Sequence, residues 1–316
     1  MVCQENSANQ VYGEEENTMA KLGRIRLQRS DVVFNIVLYT ICAMLLLIIV
    51  YPLWFIIIAS FSDPAAVAGG HVWFVPVGFT LEGYEELLLQ DNVWIGYRNT
   101  IVYTLLGTVF ALVVNIPAAF SLARKDLKGR KFIMGIYVFT MFFSGGLIPT
   151  FLTVQQFGLY NTFWVMIIPF SVSVYNIIVA RTFFQNSLPT ELWDAAQVDG
   201  CGNLRYFFTI ALPLSKAVIS VIALWTAVGQ WNSYFNALIY IRSPQLYPLQ
   251  LVMRNVLVTN QSFAAQGTGE AARIAMRKAN LIRYSMIIVS TVPIMCVYPF
   301  IQKYFDQGVM VGSIKG

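Results

Sequence analysis

An all-α integral membrane protein of six transmembrane helices is predicted by three observations. There are too few charges to coat a soluble globule, several uncharged runs are long enough to cross a bilayer, and basic residues crowd into alternate connections. The 316 residues are 57% hydrophobic and 15% aromatic against 12% charged, with a mean hydropathy of +0.61. Soluble domains carry roughly a quarter charged residues, so this composition argues against a soluble enzyme and, over most of the length, against disorder. Four cysteines are too few for a disulfide framework in a chain of this length.

Each span is justified by an interval without ionisable side chains. Residues 32–62, 99–123, 217–241 and 284–302 contain no Asp, Glu, Lys, Arg or His, and about 20 residues suffice to cross as a helix. The run 132–180 is equally uncharged but about twice the length of one span. Gly145, Gly146, Pro149, Gln155, Gln156 and Gly158 interrupt it, so it reads as two helices around a short turn. The expected spans are 33–61, 98–122, 132–153, 160–182, 214–240 and 281–303. Residues 1–20 read as a flexible cytoplasmic tail and 21–316 as a single transmembrane domain. The first apolar run is too long for a secretory signal, lacks a small-residue cleavage site and follows a long polar stretch, so it reads as a retained span.

Orientation follows from the short connections, because Lys and Arg collect in the cytoplasm. Lys21, Arg24, Arg26 and Arg29 precede the first span, and Arg124, Lys125, Lys128, Arg130 and Lys131 lie between the second and third. The first connection holds Asp63, Glu82, Glu85, Glu86 and Asp91 without Lys or Arg, and the third has no charge. Both termini are therefore expected inside. The fifth connection, 242–280, dissents: it is outside by alternation yet carries Arg242, Arg254, Arg273, Arg277 and Lys278. Long translocated loops escape the rule.

The spans limit the chemistry. Proton- or ion-coupled carriers use ionisable groups within the membrane, and these runs have none. The single histidine, His71, falls in an external connection and reads as a solvated loop residue rather than a metal ligand. No phosphate-binding loop of the Gly-x-x-x-x-Gly-Lys-Ser/Thr type is present, so the energy for uphill transport has to come from a partner. The chain is expected to bind no metal or cofactor and no nucleic acid. In the second span Thr100, Thr104 and Thr108 recur beside Gly107 and Ala111, a small polar stripe suited to close helix packing or to lining a path. In the fifth, Trp225, Gln230, Trp231, Asn232 and Tyr234, with Asn236, combine aromatic faces with amides and are candidates for a solute path. Amides unpaired in hydrocarbon would cost several kcal/mol, roughly, so Gln230 and Asn232 need partners.

The loop at about 187–213 is patterned like a docking device. Pro189 can open a helix whose first turns hold Glu191 and Asp194. Leu192, Ala195, Ala196 and Asp199 follow i, i+3, i+4, i+7 spacing and would share one face, with two alanines allowing close approach. Gly200 is the expected stop, and Asn203 can cap a second short helix.

These residues carry a resemblance. Asp194-Ala195-Ala196, Gly200 and Ile210-x-Leu212-Pro213 keep the spacing of the Glu-Ala-Ala loop of bacterial ABC importer permeases. Asp194 stands where that family usually has Glu, shortening the reach of the charge by one methylene. Ser60-Phe61-Ser62-Asp63-Pro64, Gly78-Phe79-Thr80-Leu81, Asn99-Thr100, Gly145-Gly146-Leu147-Ile148-Pro149-Thr150, Asn161-Thr162, Tyr247-Pro248-Leu249-Gln250 and the tail from Gly308 to Gly316 resemble the carbohydrate-uptake permeases, in their oligosaccharide or aldouronate branch. The resemblance implies the type I importer permease fold with a cytoplasmic coupling helix, in a multi-pass subunit of the bacterial cell membrane. It further implies a second, different permease, two ATPase subunits carrying ATP and Mg, an extracellular sugar-binding protein, and surrounding lipid. Glu191, Asp194, Ala195, Ala196, Asp199 and Gly200 are the implied coupling residues, and Val311, Gly312, Ser313 and Lys315 an implied ATPase-contacting tail. No residue is expected to be catalytic. A permease for another solute such as peptide, and a scaffold without transport, are the alternatives.

Overall fold

A computed structural model of the protein describes residues 29–266, 277, 279–296 and 299. The expected tail at 1–20 and the residues Val311, Gly312, Ser313 and Lys315 lie outside the described residues. No strand occurs among the described residues. Two compact units divide the chain, residues 1–55 and 56–316.

Helix α1, Arg29–Ser60, supplies the described part of the first unit. Residues 32–60 carry no ionisable Asp, Glu, Lys, Arg or His, and Val33, Phe34, Leu46, Leu47, Ile48 and Ile49 are all exposed. A helix that is apolar all round has no face for water, which suits it to hydrocarbon.

The second unit is built on α2, Asp91–Ala123. Its buried residues Thr100, Tyr103, Gly107, Ala111, Asn115, Ala119 and Leu122 recur every three or four positions and form one stripe. It packs against α5 (Val174–Ser187), α8 (Lys216–Trp231) and α10 (Leu249–Gln266). Between these come α3 (Arg130–Phe142), α4 (Leu147–Gln156), α6 (Thr190–Val198), α7 (Asn203–Leu214) and α9 (Phe235–Tyr240). The last is α11, Ala279–Cys296. Within α7 the backbone widens into a π turn at Phe207–Ala211.

The six expected spans are not six straight helices. Among the described residues, only α1, α2 and α11 are long and apolar enough to cross alone. The third expected span is bent by 114° between α3 and α4, and an 80° bend between α7 and α8 falls at the start of the fifth, which breaks again at 232–234 before α9. Gly146, at φ +85°, makes the first bend, a conformation that side chains with a Cβ seldom adopt. The fourth, 160–182, contains no helix of crossing length. It is a 3-10 turn at Phe163–Met166, an irregular stretch around Pro169, and then the 14-residue α5. Proline removes a backbone donor and clashes with the preceding turn, so a continuous helix cannot pass that point undisturbed.

Contacts sort the connections into two groups. Asn99 at the start of α2 donates through Nδ2 to the carbonyls of Gln245 (2.7 Å) and Tyr247 (3.1 Å). Asn161 accepts at Oδ1 from the amides of Arg242 (2.9 Å) and Ser243 (2.8 Å). Arg277 Nη2 lies 3.4 Å from Glu82 Oε2, and Gly83 approaches α11 so closely that a Cβ would stand 2.6 Å from the Leu281 carbonyl oxygen. The first, third and fifth connections therefore lie together, which places the dissenting basic loop beside the acidic one. At the opposite ends of the helices, Arg181 Nε donates to the Leu122 carbonyl (3.1 Å) and Arg124 covers Trp193. The α3–α4 pair and the α7–α8 pair thus run between the two groups, and each is a broken passage rather than a loop that returns to its own side.

Candidate functional site

A cavity of about 420 Å³ opens between residues 170–176, the end of the break and the first turn of α5, and residues 225–236 of α8 and α9. Its walls include Tyr175, Asn176, Trp225, Thr226, Gln230 and Asn236. No Asp, Glu, Lys, Arg or His lines it, in keeping with the charge-free runs. The Tyr175 and Trp225 rings lie 5.6 Å apart at 38°, giving the cavity a double aromatic edge. Asn176 Nδ2 and Thr226 Oγ1 are 3.5 Å apart, and Gln230 Nε2 donates to the Met166 carbonyl at 3.3 Å.

The cavity exists because the backbone beside it is broken. Asn115, fully buried on α2, donates through Nδ2 to the carbonyls of Ala111 (2.7 Å) and Ser171 (2.8 Å) and accepts at Oδ1 from the Ser173 amide (2.9 Å). Ser173 then caps α5, its hydroxyl accepting from the Asn176 amide. Gln230 does the same service for Met166 in the 3-10 turn. Backbone groups freed inside hydrocarbon must find such partners, and two amide side chains provide them here.

The six residues singled out on the fifth span separate. Trp225, Gln230 and Asn236 face the cavity. Trp231 does not: it is buried, and its Nε1 donates to the Ser290 carbonyl of α11 at 3.1 Å, so it is a packing residue. Asn232 Nδ2 bonds back to the Val228 carbonyl at 2.9 Å and closes the end of its own helix. Tyr234 is exposed beyond that end and does not line the cavity. One residue along a helix is a rotation of about 100°, and that rotation carries Trp231 from the side of Gln230 toward α11. Phe170, Ser171, Ser173, Tyr175 and Asn176 line the cavity unforeseen. The signal for them was Pro169 followed by two serines, a break within an apolar run. Thr104 and Thr108 keep buried hydroxyls without a partner, and Gly107 lies against Gln230, where a Cβ would meet Nε2 at 2.8 Å.

The 187–213 loop folds as its pattern indicated, with two differences, at Ala196 and at Asn203. Pro189 precedes α6, with Glu191 in the first turn. The Cys201 amide donates to the Ala196 carbonyl (2.8 Å) and the Gly200 amide to the Gln197 carbonyl (2.9 Å), a Schellman stop that puts Gly200 at φ +71°. Glu191, Asp194, Ala195 and Asp199 are exposed. Ala196 is turned inward and is buried against the core formed by Phe120, Phe184, Tyr206 and Phe207. The exposed face is therefore Leu192, Ala195 and Asp199, extended by Val198, which is 89% exposed. Gly202, not Asn203, occupies the cap position of α7. Beside α6, Arg124 holds the Asp126 carboxyl below its ordinary value, mainly through their hydrogen bonds.

The sequence matches the family model described as Binding-protein-dependent transport system inner membrane component over residues 93–311. It is 38% identical over 269 residues to Protein LplC of Bacillus subtilis (strain 168), covering 85% of this chain and 90% of that one. It is 35% identical over 283 residues to the Polygalacturonan/rhamnogalacturonan transport system permease protein YtcP of the same bacterium, covering 90% and 98%. Its fold is similar to a chain in the crystal structure of a bacterial ABC transporter involved in the import of the acidic polysaccharide alginate. That similarity has a TM-score of 0.80 at 32% identity and covers 88% of this chain and 98% of the other.

Proposed function

We propose, since the chain belongs to the family of binding-protein-dependent transport system inner membrane components, that it is the carbohydrate-translocating permease subunit of an ABC importer in the cell membrane. It is a transporter subunit and not an enzyme. The observation that carries the substrate class is the uncharged cavity edged by Tyr175 and Trp225 and furnished with Asn176, Thr226, Gln230 and Asn236. Sugar rings offer apolar faces to aromatic side chains and hydroxyl edges to amides and alcohols, and this wall supplies both. It contains no cation, so a uronate carboxylate on the sugar is met by another subunit.

The chain pairs with a second, different permease, takes sugar from an external binding protein, and docks two ATPase subunits that hold ATP and Mg. The connections at 63–97 and 242–280 form the outer face. On the cytoplasmic face Glu191, Asp194, Ala195, Asp199 and Gly200 receive the ATPase, with Ala196 behind them seating the helix. Closure of the ATPase pair rocks the spans between outward and inward access. The tail residues Val311, Gly312, Ser313 and Lys315 extend that contact. Both termini are cytoplasmic in this reading.

Uptake of labelled oligosaccharides, neutral and uronate-containing, in a strain lacking this gene tests the reading. Loss of uptake of one sugar class, restored by the gene, is the expected result. Unchanged sugar uptake with loss of peptide uptake would replace the substrate class. Failure to co-purify with an ATPase would leave a scaffold.

A further inference from the structure

Trp193 is the one large side chain that α6 turns toward the body of the unit, since its other inward residue is Ala196. Two groups hold the indole. On one face the Arg124 guanidinium carbon lies 3.3 Å from the ring centroid. Tyr206 also meets it, edge to face, at 4.9 Å and 90°. Arg124 is itself fixed, because its Nε and Nη2 donate to the two oxygens of Asp126 at 2.8 Å each, and Arg130 Nη1 donates to its carbonyl at 3.2 Å. Tyr206 continues into Phe120 of α2, 6.2 Å away, and Phe120 into Phe207 and Phe184 at 5.0 and 5.6 Å. A cavity of about 440 Å³ borders the stack, lined also by Lys125, Gln185 and Asp194. The ring therefore meets Arg124 and Tyr206 at the edge of the core formed by Phe120, Phe184 and Phe207.

We propose that Arg124 and Trp193 are positioning residues that transmit displacement of α6 into the end of α2, and thereby to the cavity. The proposal rests on the importer reading above. Arg124 follows the last residue of α2, and the same helix carries Gly107 against Gln230 and Asn115 against the broken segment. A planar guanidinium locked to a carboxylate and stacked on indole resists sliding in a way that an aliphatic contact does not. A movement of α6 delivered to Trp193 thus acts on the helix that carries Gly107 against the cavity residue Gln230 and Asn115 against the broken segment beside it.

The test uses the complete importer, with its native partners, reconstituted in lipid vesicles, with ATP hydrolysis and sugar uptake measured on the same preparation. Trp193→Leu and Arg124→Ala should each lower sugar moved per ATP hydrolysed by about three- to thirtyfold. The ATPase should still co-purify in wild-type amount. Trp193→Phe, which keeps an aromatic face, should restore most of the ratio, and the double variant Arg124→Ala/Trp193→Leu should be no worse than either alone. An unchanged ratio in Trp193→Leu, an equal fall in Trp193→Phe, or loss of the ATPase from the complex overturns the proposal. Absence of sugar uptake by the wild-type complex would instead be a failure of the importer reading.

Discussion

The Ser173 amide donates to Asn115 Oδ1 at 2.9 Å, joining α2 to the first turn of α5 across 58 positions of sequence. With the Asn115 bond to the Ser171 carbonyl, this contact allows the chain to break at Pro169 inside the helical unit. The break is what leaves Tyr175 and Asn176 facing Trp225 instead of being wound into an ordinary span.

Asn115→Ala should therefore be destabilising out of proportion to its size. It strands the Ser171 carbonyl and the Ser173 amide in a fully buried place, at about 1–3 kcal/mol for each unpaired group. The melting temperature of the purified complex should fall. An unchanged midpoint would mean that water reaches the break.

Trp225 and Trp231 should answer differently. Trp225→Ala removes an aromatic wall worth about 0.5–1.5 kcal/mol, so the maximal uptake rate should drop about two- to thirteenfold with stability little changed. Trp231→Phe removes the bond to the Ser290 carbonyl, so stability should fall by about 1 kcal/mol while uptake stays near wild type. Parallel uptake and thermal measurements on both variants check the division, and reversed behaviour would return Trp231 to the path.

Gly107→Ala places a Cβ 2.8 Å from Gln230 Nε2 and 3.2 Å from its Cγ. Overpacking of this kind costs about 1–3 kcal/mol and should push the amide off the Met166 carbonyl. Adding Gln230→Ala should relieve the overpacking but leave the Met166 carbonyl unpaired, so thermal stability should recover only in part and uptake not at all, because the amide that faces the cavity is then gone. Recovery of uptake in the double variant would show that Gln230 only fills space.

At Gly200 the obstacle to a side chain is the backbone, not its neighbours. A Cβ there meets nothing within 4 Å, but φ is +71°. Left-handed backbone costs a residue with a Cβ about 1–2 kcal/mol, and Asn tolerates it best. Gly200→Val should abolish uptake and weaken ATPase assembly with membrane insertion intact, whereas Gly200→Asn should retain most transport. Equal activity of the two variants would sink the assignment of Gly200 as a conformational stop.

Much of the architecture was legible because its causes are local. The uncharged stretches 32–62 and 99–123 became α1 and α2, since a long apolar run has few alternatives to a helix in hydrocarbon. Pro189 and Gly200 bounded α6 because a proline start and a left-handed stop act within a few residues. The 160–182 segment was misread as one helix for the opposite reason. Its break at Pro169 is sustained by Asn115 and Gln230, and nothing within the segment announces those partners. The pairing of Asn99 with Gln245 and of Asn161 with Ser243 was equally invisible, although both asparagines stood out as motif residues.

Composition and charge spacing were enough to determine that this chain lives in a membrane, that its connections fall into two sets, and that a patterned helix lies in one of them. Those properties depend on solvent and on residues a few positions apart. Only the tertiary structure decided that Trp225 and Gln230 share a cavity with Tyr175 and Asn176, that Trp231 packs on α11, and that Ala196 turns inward. On α8 apolar residues surround the polar ones on nearly every side, so helical periodicity does not select a face. Packing against α2, α5 and α11 selects it, through hydrogen bonds that join residues roughly 60 positions apart.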